Sequence, residues 1–446
     1  MTKDLTVGSP FRVIIGYMIP VFFSLLLQDL YAVVDTAIVG QTLGENALGG
    51  VSSTGHVYSI TVGACRGLCS GFCIPIANAF GAEDYTKLRR CVLNGAYLCA
   101  GATVLLLVFI APNSYAILTA MQTPEENFPF ALAYLRVMLW GAPFSLLYNY
   151  CSGIMWSLGD SRIPLLFLGI SSVTNVVCDL VFILCFHMGT DGAALATVLS
   201  QGIAGFTCLV YMLKKVRFLR SGAENCKPDR KIMALLLRNG IPMALQSIVI
   251  FVGALIMQIS INTLGALYVN AFAAAGKVNS PLLTPVSALG NSTGTYFGQN
   301  VGAGKAERIR QGFRVCITLS LAFSVCITVI AGLFTPQLTS LFLRDPGQEL
   351  VALVKQYMLI YGPASVFLGL IYTYRPAVQA MGYASLSLIP SGLELVVRVV
   401  ISIAVVPLLG FTGACFVGAS AWFIAAVTLV PMGYICLGKL RRRLGQ

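Results

Sequence analysis

Asp35 lies within the apolar run LLLQDLYAVVDTAIVG, and Asn175 and Asp179 lie four residues apart in another such run. An acid inside a membrane span is expensive, so it faces a bundle interior or a water-filled cavity and marks a functional site. Desolvation disfavours the charged form of a carboxyl group. Such a group can take up and release a proton. It can equally hold Na⁺, with help from the Asn175 amide oxygen and a hydroxyl such as that of Thr197. A spacing of four puts Asn175 and Asp179 on one helical face. The competing reading is that the acids merely hydrogen-bond between helices. Asp29 stands six residues before Asp35, about 240° around a helix, and so projects to a different face. Gln28, Asp29 and Tyr31 are candidates for lining a cavity or gating it.

Other intramembrane charges are few. Glu394 precedes Arg398 by four residues, the favourable order for an ion pair on one helix; this pair is read as structural or gating. His56 and Lys277 occupy spans two and eight. His56 reads as a satisfied core residue, whereas Lys277 should face water or a carboxylate. Arg66 and Arg375 have no partner nearby in sequence, and Arg375 and Arg136 are expected to snorkel toward an interface. Tyrosines and methionines within the spans suit flat cationic molecules through stacking and cation–π contact, and suit packing equally well.

Several chemistries are excluded. Cys65, Cys69 and Cys73 share a helical face, but no His or acid completes a metal set, so they read as packing residues. There is no Walker motif or HExxH. No metal, cofactor or enzymatic activity is expected, and transport would run on an ion gradient or downhill.

The elements that must position these residues follow from composition. The chain has 446 residues, 57% hydrophobic and 10% charged, too few charges for a soluble domain. Twelve apolar runs can span a bilayer, roughly 13–39, 48–77, 91–112, 130–156, 163–186, 192–213, 234–262, 268–298, 313–334, 351–377, 385–407 and 412–437. The first continues too long for a signal peptide. The fold class is therefore an all-α polytopic membrane protein. Of the 29 Lys and Arg residues, 22 fall at the termini or in alternate connections. This is the positive-inside pattern, which places both termini in the cytoplasm. It accounts for the net charge of +12 without a nucleic-acid partner.

The chain repeats itself. Thr42-Leu43-Gly44 recurs as Thr263-Leu264-Gly265, and Gly81-Ala82 recurs as Gly302-Ala303, each 221 residues later. Pro20 matches Pro242 and Gly141 matches Gly362 within one residue of that offset. The longest polar connection separates an N-lobe, 1–220, from a C-lobe, 221–446. Six spans per lobe give both the same direction, as in carriers built from parallel repeats. The halves differ chemically, since Arg398 stands near the position equivalent to Asn175.

These segments bear a family likeness. IPVFFSLLLQDLYAVVDTAIVGQTLGENALGGVS, NAFGAEDYTKLRR, NVVCDLVFI and GTDGAALATVLSQ resemble the corresponding stretches of the multidrug and toxic compound extrusion (MATE) family. The resemblance implies two pseudo-symmetric six-helix lobes around a V-shaped cavity. It implies secondary active efflux of organic cations or other toxic compounds in exchange for H⁺ or Na⁺, and a monomer in the bacterial plasma membrane. It places a cation site at Asp35, Asn175, Asp179 and Thr197. Relatives with acids in spans seven and ten have a further site that this sequence lacks. A related branch flips lipid-linked oligosaccharides, and the basic residues Arg66, Lys277 and Arg375 keep that alternative open.

Overall fold

Turn chemistry divides the chain into helices. In the computed structural model, residues 3–216, 219, 227–342 and 347–445 are described, the His56 side chain excepted. Pro10 opens α1 (Pro10–Leu43), where its fixed φ and missing N–H cost nothing. Gly44, at φ 87°, turns the chain into α2 (Glu45–Gly81). This left-handed backbone favours glycine. Gly265 does the same at φ 107° between α9 (Arg230–Asn262) and α10 (Ala266–Gly302).

The sequence repeat is thus a backbone repeat. α2 and α10 have the same length and start 221 residues apart. The next helices, α3 (Tyr85–Leu105) and α11 (Ala306–Ser340), keep that offset. α3 continues through a widened turn to α4 (Ser114–Ala120). The rest of the first half is α5 (Phe128–Trp140), α6 (Ala142–Ser157), α7 (Arg162–Leu180) and α8 (Thr190–Lys215). The second half ends with α12 (Gln348–Ala380), α13 (Leu388–Ala404) and α14 (Val406–Leu444).

Among the described residues there is no strand. Among the described residues, ten helical segments are long and apolar enough to cross a membrane, and the bent pair α5–α6 makes an eleventh. With α10 they correspond to the twelve expected spans. Many run past the expected ends: α1, with 34 residues, is about 50 Å long at 1.5 Å per residue, against a hydrocarbon core of about 30 Å. Span four breaks at Gly141 with a bend of 48°. A Cβ on Gly141 would fall 2.1 Å from the Val198 side chain, so close packing against α8 requires glycine there. α7 widens into a π-type turn at Val181–Cys185.

Packing defines two units, Met1–Asp4 with Phe23–Ser247, and Leu5–Phe22 with Ile248–Gln446. Their limits fall inside α1 and α9 rather than in the polar connection at 220. In unit 1 the start of α9 lies on α2: a Cβ on Gly71 would sit 2.4 Å from the Gly240 Cα. The Asn94 side chain also accepts from the Asp229 N–H at 2.8 Å. In unit 2 the N-terminal segment is held by side chains of α10 and α11. Gln299 accepts from the Leu5 N–H at 2.8 Å, and Arg308 donates to the Gly8 carbonyl at 2.8 Å.

Candidate functional site

On α7 the buried residues Pro164, Phe167, Leu168, Ser171, Asn175 and Asp179 form one stripe. Leu166, Ile170, Val173 and Val177 are exposed on the other face. The apolar face suits lipid, and the polar positions are turned inward, the reverse of a soluble helix. Asn175 and Asp179 are fully buried, Thr197 on α8 is 3% exposed, and Asp35 on α1 is 8% exposed. Three helices thus bring the four residues together as expected.

Their contacts form one polar cluster. The Asn175 amide donates to the Thr197 hydroxyl at 3.3 Å. The Asp35 and Asp179 side chains are hydrogen-bonded to each other. Asp35 Oδ1 is buried, and among the described residues no backbone or neutral side-chain donor reaches it. Tyr31, one turn before Asp35, is hydrogen-bonded to Thr197 and lies close to both acids. Tyr134 on α5 also faces Asp35, Asp179, Tyr31 and Tyr58. Tyr134 carried no sequence signal, because its role depends on a helix far away in the chain.

Asp35 and Thr197 form part of the wall of a cavity of about 410 Å³, whereas Asn175 and Asp179 stand behind it. Gln28, Tyr31, Tyr58, Tyr134, Tyr148 and Met138 also line the space. Such a volume and such an aromatic lining with a few polar groups are those of a small-molecule pocket. The hydroxyls of Tyr58 and Ser145 are hydrogen-bonded at 3.2 Å, and Ser145 donates to Gln201. A flat organic molecule has stacking surfaces on several sides here, and a cationic one has Asp35 as its counter-charge. Two carboxyls in hydrogen-bond contact need a proton between them, or a small cation in its place.

The remaining candidates are elsewhere. Asp29 does not line the cavity, consistent with its different helical face. His56 is on α2, with its side chain outside the described residues. Lys277 is exposed on α10. In unit 2, Glu394 on α13 receives Arg398 Nη2 at 2.9 Å, the expected pair. It also receives Arg375 Nη2 from α12 at 3.2 Å. Arg375 is 7% exposed, so the expectation that it snorkels to an interface is corrected. A carboxylate on the neighbouring helix holds it inside, which a nineteen-residue separation does not reveal. α9 passes over this cluster at Gly253, whose Cβ would lie 2.8 Å from the Arg398 Cδ.

The sequence model of the MatE family matches residues 20–181 and 242–404, one copy in each half. The chain belongs to the MatE family. Among MatE relatives, the probable multidrug resistance protein YpnP of Bacillus subtilis strain 168 is 29% identical over 385 residues, covering 85% of this chain and 84% of that one. The multidrug export protein MepA of Staphylococcus saprophyticus is 24% identical over 440 residues, covering 97% and 95%. A crystal structure of a MATE protein in complex with MaL6 has the same fold, with a TM-score of 0.90 at 22% identity over 99% of this chain and 100% of that one. The twelve helical spans are thus those of a MatE transporter.

Proposed function

We propose that the chain is a secondary active exporter of small organic cations, exchanging each for a monovalent cation bound at Asp35 and Asp179. The observation that supports this reading is the contact between two carboxyls from different helices, one of them on a cavity wall. Two such carboxyls carry −2 when both are ionised, and one bound proton or Na⁺ lowers this to −1. An anionic Asp35 attracts a cationic substrate. Uptake of the coupling ion halves the negative charge and weakens that attraction, which links the two binding events by competition. The difference in cation affinity between the states open to each side then drives export. Asn175 and Thr197 supply the neutral oxygens and donors that position the pair.

The names of the multidrug relatives YpnP and MepA favour an exporter over an oligosaccharide flippase. The same reading places the chain as a monomer in a bacterial inner membrane with both termini cytoplasmic, as the distribution of Lys and Arg implies. Asparagine in place of either acid keeps the shape and removes the exchangeable charge.

The test uses purified protein in liposomes loaded with a fluorescent organic cation. Under an imposed pH or Na⁺ gradient, wild type should move dye under one of the two, which names the coupling ion. Asp35→Asn and Asp179→Asn should each lose that movement. Unchanged gradient-driven export in both variants would refute the mechanism.

A further inference from the structure

Among the described residues, the cavity of unit 1 is lined by two charged side chains, Asp35 and Arg66. They occupy different levels. α1 and α2 are joined by the tight turn at Gly44, so they run antiparallel. Asp35 lies nine residues before that turn and Arg66 twenty-two after it. The difference of thirteen residues separates their levels by roughly 20 Å at 1.5 Å per residue, a gap that the two side chains shorten. Val51, Gly55, Tyr58, Val62 and Arg66 all line the cavity, at the spacing of one helical face. Arg66 is exposed and lies close to Tyr58 and Tyr148. No carboxylate is paired with it among the described residues.

A purely cationic ligand long enough to fill this space would bring positive charge up to a guanidinium. A ligand with an oxyanion at its far end would instead meet a planar set of donors suited to a carboxylate. We propose that the cavity selects dipolar aromatic molecules, binding a cationic nitrogen at the Asp35 end and a carboxylate or other oxyanion at Arg66. Arg66 is then the specificity-determining residue of the site. The tyrosines between the two charges hold the aromatic body. This assignment rests on the exporter reading and narrows its substrate class.

Two dyes that differ by one group provide the test: rhodamine 110, which carries a free carboxylate, and its methyl ester, rhodamine 123. Each is titrated by fluorescence anisotropy against the purified full-length protein in detergent, with no gradient imposed. Wild type should bind the acid about tenfold more tightly than the ester, the scale of one charge-assisted hydrogen bond. Arg66→Gln should erase the preference, so that both dyes bind alike, and Arg66→Lys should keep part of it. Equal affinity of wild type for the two dyes overturns the inference and leaves the exporter reading standing. So does a preference that survives Arg66→Gln. Failure of both dyes to bind overturns the cavity as a substrate site, and the inference with it.

Discussion

The two units solve the same electrostatic problem in opposite ways. In unit 1, two acids touch each other among tyrosine, threonine and asparagine side chains. In unit 2, one acid lies between two arginines at 2.9 and 3.2 Å. The second cluster carries its own counter-charges in covalent form, and they cannot leave. On the proposed reading, the first takes a counter-ion small enough to come and go. The repeat thus supplies one fold twice, and substitutions near the equivalent place give one copy fixed counter-charges and leave the other, on the proposed reading, open to an exchangeable one.

The largest expected effect comes from breaking the permanent cluster. Glu394→Gln leaves two buried guanidinium groups beside each other and should cost about 3–5 kcal/mol, seen as a large fall in Tm in detergent. Replacing all three members together by Met, Leu and Met should recover most of that loss, because an apolar set of similar volume needs no desolvation of charge. A full-sized loss in the triple variant would show that the cluster does more than balance itself.

Asp35→Asn should have the reverse profile. Gradient-driven export should fall at least about tenfold, the loss that accompanies one ionic contact, while Tm changes little. If Asp35→Asn destabilised the protein as much as Glu394→Gln, the contrast between exchangeable and permanent charge would fail.

Smaller effects test the packing on either side of the comparison. Gly71→Ala pushes a methyl group against the backbone of Gly240, which cannot step aside, and should cost about 2 kcal/mol. Gly253→Ala meets the Arg398 side chain, at Cδ and Nε, rather than backbone. The gain in helix propensity of about 1 kcal/mol should offset that crowding and leave Tm nearly unchanged. Paired melts of the two variants give the ordering directly.

Much of this was legible in the sequence, for physical reasons that can be named. Spans were visible because hydropathy is a local property, whereas Gly44 and Gly265 stood out only as members of the repeat, and the structure shows them at its turns. The break at Gly141 was not anticipated: Pro143 starts a new helix just after it, and Val198, 57 residues away, packs onto the glycine. Asp35, Asn175 and Asp179 stood out because a buried polar group in a membrane is costly enough to need a reason. Thr197 lies beside Asn175, whose amide donates to its hydroxyl. Arg375 was misread, since its carboxylate comes from another helix. Tyr134 and the cavity position of Arg66 belong to the same class, in which three-dimensional neighbours decide the role.

The helix α10 carries a consequence for how the chain is made. It is not among the segments apolar enough to span a membrane alone, because it buries Asn279, Thr284, Ser292, Thr293, Gln299 and Asn300. Its main packing partners, α12 and α11, lie after it in the chain. The ribosome therefore delivers α10 before the helices that shelter its polar side. Hydropathy gives this segment only a weak claim on the bilayer as it emerges. Its final seat is decided late in synthesis, when α11 and α12 arrive, and the second half must settle in the membrane as a group rather than one helix at a time.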